Sequence, residues 1–142
     1  MMKKYKNYID GLFVESKKKF TSIDPTTEQN WAEINAADKN DVNDAVNAAR
    51  SAFNGEWSNF LPQKRSKILR SIGDKLIENA ELLGKIETKD TGKLFKETKF
   101  QANYIAEFYY YYAGLVDKIE GSTLPIDKHD MQVFTTRVPI GV

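Results

Sequence analysis

The chain has 142 residues, 41% of them hydrophobic and 29% charged, and its 21 basic and 20 acidic side chains leave a net charge of +1. That is the size and composition of one globular domain, and the even charge gives no reason to expect nucleic acid or an anionic membrane surface as a partner. Cysteine is absent, which removes disulfides, thiolate metal sites and a cysteine nucleophile from this polypeptide and fits a cytoplasmic compartment.

The N-terminus opens on Met1, Met2, Lys3 and Lys4, a basic start with no apolar stretch behind it, unlike a secretory signal. No apolar run anywhere approaches the ~18 residues of a membrane span. Residues 1–35 read as extended. Tyr8-Ile9-Asp10-Gly11-Leu12-Phe13-Val14 carries an Asp-Gly pair, the strongest short hairpin signal. Residues 19–23 predict a second strand, stopped at Asp24-Pro25 because proline cannot donate to a ladder. Residues 31–34 predict a third. The lysines at 3, 4 and 6 and at 17–19 read as a solvated terminus and a solvated turn.

Helices follow. Asp38 is a good N-cap, and Asp41 three residues later complements a helix N-terminus. Val42, Ala45, Val46, Ala49 and Phe53 recur at helical spacing until Asn54-Gly55. Pro62 suits the first turn of a second helix, whose expected buried face is Ile68, Leu69, Ile72, Leu76 and Ile77. A third helix starts after Asn79, carries Leu82, Leu83 and Ile86, and closes at Gly92. The fourth and longest, over 95–116, places Phe100, Tyr104, Phe108, Tyr111 or Tyr112, and Leu115 on one stripe. The tail predicts a hairpin of strands 122–126 and 131–138 around the polar turn 127–130. Pro139-Ile140-Gly141-Val142 begins a new apolar segment, so the chain is expected to break off inside a larger pattern.

Few residues offer chemistry. His129, the one histidine, sits in a predicted turn with no cysteine available as partner and reads as solvated. Tyr109, Tyr110, Tyr111 and Tyr112 point around most of a helix and lack the interleaved basic residues of a base-stacking platform, so packing is the better reading. The glycines form no phosphate-cradling loop, and neither a nucleophile elbow nor a zinc-protease helix is present. Asp90 is the exception. A carboxylate in the last turn faces the negative end of its helix, so either a nearby Lys89 or Lys93 or a bound cation must compensate.

Several short patterns together resemble the beginning of the aldehyde dehydrogenase superfamily. Tyr8-Ile9-Asp10-Gly11 resembles its opening hairpin, and Ile23-Asp24-Pro25-Thr26-Thr27 resembles its N-P-x-T segment. Asp41-Val42, Ala45-Val46, Ala48-Ala49 and Phe53, with Trp57 beyond, resemble its first long helix. Arg65 and Leu69 match R-x-x-x-L, Glu87 through Lys93 match E-T-x-D-[NT]-G-K, and Tyr111-Tyr112-Ala113-Gly114 match Y-Y-A-G. Glu120-Gly121, Pro125, and Arg137, Pro139, Gly141 and Val142 complete the series. Asp24, Leu94 and Val138 depart from the usual asparagine, proline and glutamate, which leaves the subfamily open. The Asp90-Thr91-Gly92-Lys93 form is similar to that of betaine-aldehyde enzymes, too little to name a substrate.

The resemblance implies an α/β fold, of which this segment is mostly helix between an N-terminal and a C-terminal β-hairpin. It implies three segments: residues 1–35 as an N-terminal hairpin region, 36–117 as a helical wrap around the cofactor domain, and 118–142 as an oligomerisation-type hairpin leading toward a dinucleotide-binding strand. The implied parent enzyme oxidises an aldehyde to a carboxylic acid with NAD or NADP, through a cysteine thiolate that adds to the aldehyde and a thioester that water hydrolyses. Its nucleophile and cofactor-binding residues belong further along, so no catalytic or cofactor-binding residue is assigned here and the fragment is expected to be structural and inactive. The expected partners are the remainder of the same enzyme and, at full length, a homodimer or homotetramer. The alternative is a free-standing non-catalytic partner of full-length relatives. The resemblance also implies a monovalent cation, Na⁺ or K⁺, held by Asp90 with the backbone of Ser22 and Ile23.

Overall fold

The computed structural model describes residues 2–142, so Met1 lies outside the described residues. The Asp-Gly signal produces the hairpin it predicts: β2 (Asn7–Ile9) pairs antiparallel with β3 (Leu12–Val14). Both loop residues are left-handed, Asp10 at φ 50° and Gly11 at φ 79°, the pair of positive angles that matches the twist of a two-residue hairpin. A second hairpin joins β4 (Lys18–Asp24) to β5 (Gln29–Ala36). Its loop is closed by the buried Asp24, whose carboxylate accepts the Thr26 N–H at 2.9 Å and whose carbonyl accepts the Glu28 N–H at 2.8 Å.

Lys3 and Lys4 depart from the sequence expectation. They belong to β1 (Lys3–Tyr5), which pairs parallel with Ala32–Ile34 of β5 and gives a three-stranded sheet in the order β1-β5-β4. Three residues are too few for alternation to show, and both lysines are exposed, so the strand carries no apolar signature. Lys18 and Lys19 likewise lie in β4 rather than in a turn, with Lys19 Nζ 3.4 Å from both Glu15 and Glu33. The Tyr5 ring meets Trp31 edge-on at 6.0 Å, and its buried hydroxyl has no partner among the described residues.

α1 (Lys39–Asn54) starts as predicted. The Asp38 carboxylate accepts the N–H groups of Asn40 and Asp41, and the Asp41 carboxylate accepts the Asp38 N–H. This reciprocal box satisfies donors that the first turn leaves free. Asp41 also accepts the hydroxyl of buried Ser16 at 2.7 Å, and Ser16 in turn accepts the Asn7 amide at 2.8 Å. That chain ties α1 to the first hairpin, and the Ser16 bond, with the Asp38 N–H, holds the Asp41 carboxyl below its ordinary value.

α2 (Pro62–Glu78) and α3 (Ala80–Thr91) both pack on α4 (Phe95–Leu115). Here the expected faces are corrected. The buried residues of the three helices are Gly73, Ala80, Gly84, Thr98, Ala102, Ala106 and Ala113. Ile72, Ile77, Leu82 and Leu83 are exposed, while Ile68, Leu69 and Leu76 are half-buried. On α4, Phe100, Tyr104 and Phe108 are 65%, 53% and 50% exposed. At about 100° per residue they lie opposite the Thr98–Ala102–Ala106–Ala113 stripe. Small side chains let the axes approach, and the large ones are left on the outer surface.

The tail hairpin is shorter than predicted, with β6 (Thr123–Leu124) pairing antiparallel to β7 (Val133–Phe134). Pro125 follows β6 directly and has no N–H to extend the ladder. His129 is exposed in the connecting loop. No described helix is long and apolar enough to cross a membrane.

Candidate functional site

Gly92 ends α3 in the left-handed conformation, φ 74°, its N–H bonded to the Thr88 carbonyl at 2.9 Å. This is the glycine C-cap that the segment predicts. A side chain there would come within 3.0 Å of Pro25 Cγ, so the cap also seats the β4–β5 loop against the end of the helix. The arrangement brings two distant predicted residues together. Asp90 Oδ1 accepts the Ser22 hydroxyl at 2.5 Å, and the same Ser22 oxygen accepts the Trp31 indole N–H at 3.1 Å.

Neither lysine neighbour answers Asp90. Lys93 instead pairs with Glu87 at 2.7 Å. The hydroxyl of Ser22 faces the carboxylate, at a point where the β4–β5 register shifts between Ser22 and Ile23. Ile23 is 55% exposed. Among the described residues, no group of three or more His, Cys, Asp or Glu side chains is placed to hold a metal ion. The groups gathered at the end of α3 are therefore one carboxylate and one hydroxyl from separate elements, joined through the Ser22 side chain rather than its backbone. Trp31 is the member that sequence reasoning missed. No local signal marks it: the register runs from Ser22 opposite Ala32 to Ile23 opposite Asn30, and this shift leaves Trp31 unpaired and lets its indole reach the Ser22 hydroxyl.

The model of the aldehyde dehydrogenase family matches residues 13–142. The chain belongs to that family. It is 44% identical over 142 residues to the (Z)-2-((N-methylformamido)methylene)-5-hydroxybutyrolactone dehydrogenase of Acinetobacter baylyi, a match covering 99% of this chain and 29% of that one. It is 41% identical to aldehyde dehydrogenase 1 of Tanacetum cinerariifolium, over 96% of this chain and 28% of the relative. Among solved structures, the NAD⁺ complex of the Bacillus cereus aldehyde dehydrogenase is similar at a TM-score of 0.87 and 33% identity, covering 93% of this chain and 28% of that one. A betaine aldehyde dehydrogenase from Staphylococcus aureus, in complex with NAD⁺, is similar at a TM-score of 0.82 and 36% identity, over 89% and 26%. The chain thus spans under a third of the length of the relatives it matches. Its fold is that of the α/β aldehyde dehydrogenases, to which this segment contributes four helices and small hairpins.

Proposed function

We propose that the chain is the N-terminal, structural portion of an NAD(P)-dependent aldehyde dehydrogenase that oxidises an aldehyde to a carboxylic acid, and that these 142 residues have no dehydrogenase activity by themselves. The family match over residues 13–142 in a sequence without cysteine supports this reading, because the covalent route needs a thiolate. In it, residues 36–117 wrap a cofactor domain and 118–142 supply an oligomerisation hairpin. The purified chain, given a panel of aldehydes with NAD⁺ or NADP⁺, should reduce neither cofactor. Reduction above the enzyme-free rate would overturn the proposal. Codons continuing beyond Val142 into a cysteine-bearing cofactor domain are expected; a stop codon would favour the free-standing partner of full-length relatives.

The second part of the proposal concerns the end of α3. Asp90, with Ser22 and Ile23, contributes to a monovalent cation site in the assembled enzyme, and the Ser22–Asp90 contact holds the two elements in place for it. In an intact enzyme carrying this segment, K⁺ should raise the thermal midpoint relative to a bulky organic cation, and Asp90→Ala should abolish that difference. Equal midpoints in both salts for the unaltered enzyme would leave Asp90 as a hydrogen-bond acceptor only.

A further inference from the structure

We propose that the cavity between β1, β5 and α3 binds a free monocarboxylate with an apolar tail. The cavity has a volume of about 510 Å³, within the range of small-molecule sites. Its apolar walls are Trp31, Leu82, Ile86 and Phe95, and its basic residues are Lys3, Lys85 and Lys89. Among the described residues, no carboxylate lines it. Positions 82, 85, 86 and 89 fall on one face of α3 by helical spacing, so two successive turns present both apolar and cationic groups.

The charges differ in what they already hold. Lys85 pairs with Glu81 at 2.6 Å and stands 6.0 Å from the centre of the Phe95 ring. Lys3 and Lys89 have no ion-pair partner among the described residues. Two uncompensated ammonium groups beside an indole, a phenyl ring and two aliphatic side chains select for an anion with hydrocarbon attached. A small hydrophilic anion would leave the walls uncovered, and a neutral or cationic amphiphile would leave the lysines without a counter-charge. The site meets the Asp90 contact at Trp31, whose indole N–H donates to Ser22 while its ring lines the cavity, and it does not depend on the reading of the parent enzyme.

Trp31 makes the site directly observable. In a Trp57→Phe background, which leaves Trp31 as the remaining tryptophan, the 142-residue chain is titrated at low concentration with decanoate, a neutral decyl glycoside and a decyl ammonium salt. Decanoate should change the Trp31 fluorescence saturably, and the other two should not. Exchanging both free lysines, Lys3→Glu and Lys89→Glu, should weaken decanoate by about tenfold or more while the far-UV circular dichroism is unchanged, because two attractions become repulsions. Adsorption of decanoate on apolar surface elsewhere would not respond to those lysines. An equal response to the three amphiphiles, or an unchanged decanoate affinity in the double variant, would overturn the proposal.

Discussion

Replacing Gly84 with alanine is expected to destabilise the chain by about 2 kcal/mol, although alanine is by about 1 kcal/mol the better helix former. A Cβ at this position would lie 2.9 Å from both the Cα and the backbone nitrogen of Lys99. A flexible side chain could swing aside, but a helix backbone cannot, so α3 and α4 must separate. Separation also strains the polar contact at the crossing. There the buried Thr98 hydroxyl donates to the Gly84 carbonyl at 2.9 Å and meets the Thr88 hydroxyl at the same distance. Gly114→Ala is the control: it lies in the last turn of α4, and its Cβ would meet nothing within 4 Å, so there the substitution should carry no steric cost. Thermal melts followed by circular dichroism should place the Gly84 variant roughly 4–8 °C below the parent and the Gly114 variant at or above it. A Gly84 variant as stable as the parent would mean that the two helices do not cross at this distance.

The same crossing explains which parts of the fold were legible in the sequence. Helix ends and turns were, because they are set by local chemistry: Asp38 with Asp41, Pro62, Gly92 and the Asp10-Gly11 pair each act within a few residues. The buried faces of α2, α3 and α4 were not. A reading that looks for large apolar residues at helical spacing chose Ile72, Leu82 and Phe100, while the close contacts run through Gly73, Gly84, Ala102 and Ala106. Small residues carry little hydrophobic weight in a pattern, yet close helix approach depends on them. Gly73 shows the principle in miniature. A Cβ there would stand 2.7 Å from the Tyr110 ring, whose hydroxyl donates to Asp74 at 2.7 Å. At the candidate site, the Asp90 carboxylate stood out because it opposes the helix dipole. Its tie to Ser22 joins residues 68 positions apart, a distance that no local rule spans.

The isolated chain is expected to associate and to bind hydrophobic dye, and polar substitution of one face of α4 should abolish both. Phe100 stacks on Tyr104 at 5.8 Å, with the rings 11° from parallel, and Tyr104 meets Phe108 edge-on at 5.4 Å. Tyr111 and Tyr112 continue the face at 63% and 57% exposure. Rings four residues apart on a helix form a continuous strip, and apolar patches beyond a few hundred Å² on a monomer commonly mark an interface or drive association. The strip lies opposite the small residues that contact α2 and α3, so covering it requires surface from outside this packing. The variant Phe100→Lys, Tyr104→Gln, Phe108→Lys replaces it with good helix formers. Because the three rings are half-exposed or more, helix content should survive while the ring–ring contacts, about 0.5–1.5 kcal/mol each, are lost. Light scattering should then report association for the parent chain and a monomer for the variant, with dye fluorescence falling in parallel. A parent chain that is monodisperse and dye-free would show that the strip is not adhesive. A variant that associates as strongly as the parent would move the adhesive surface to another face, such as the exposed Val42 and Val46 of α1.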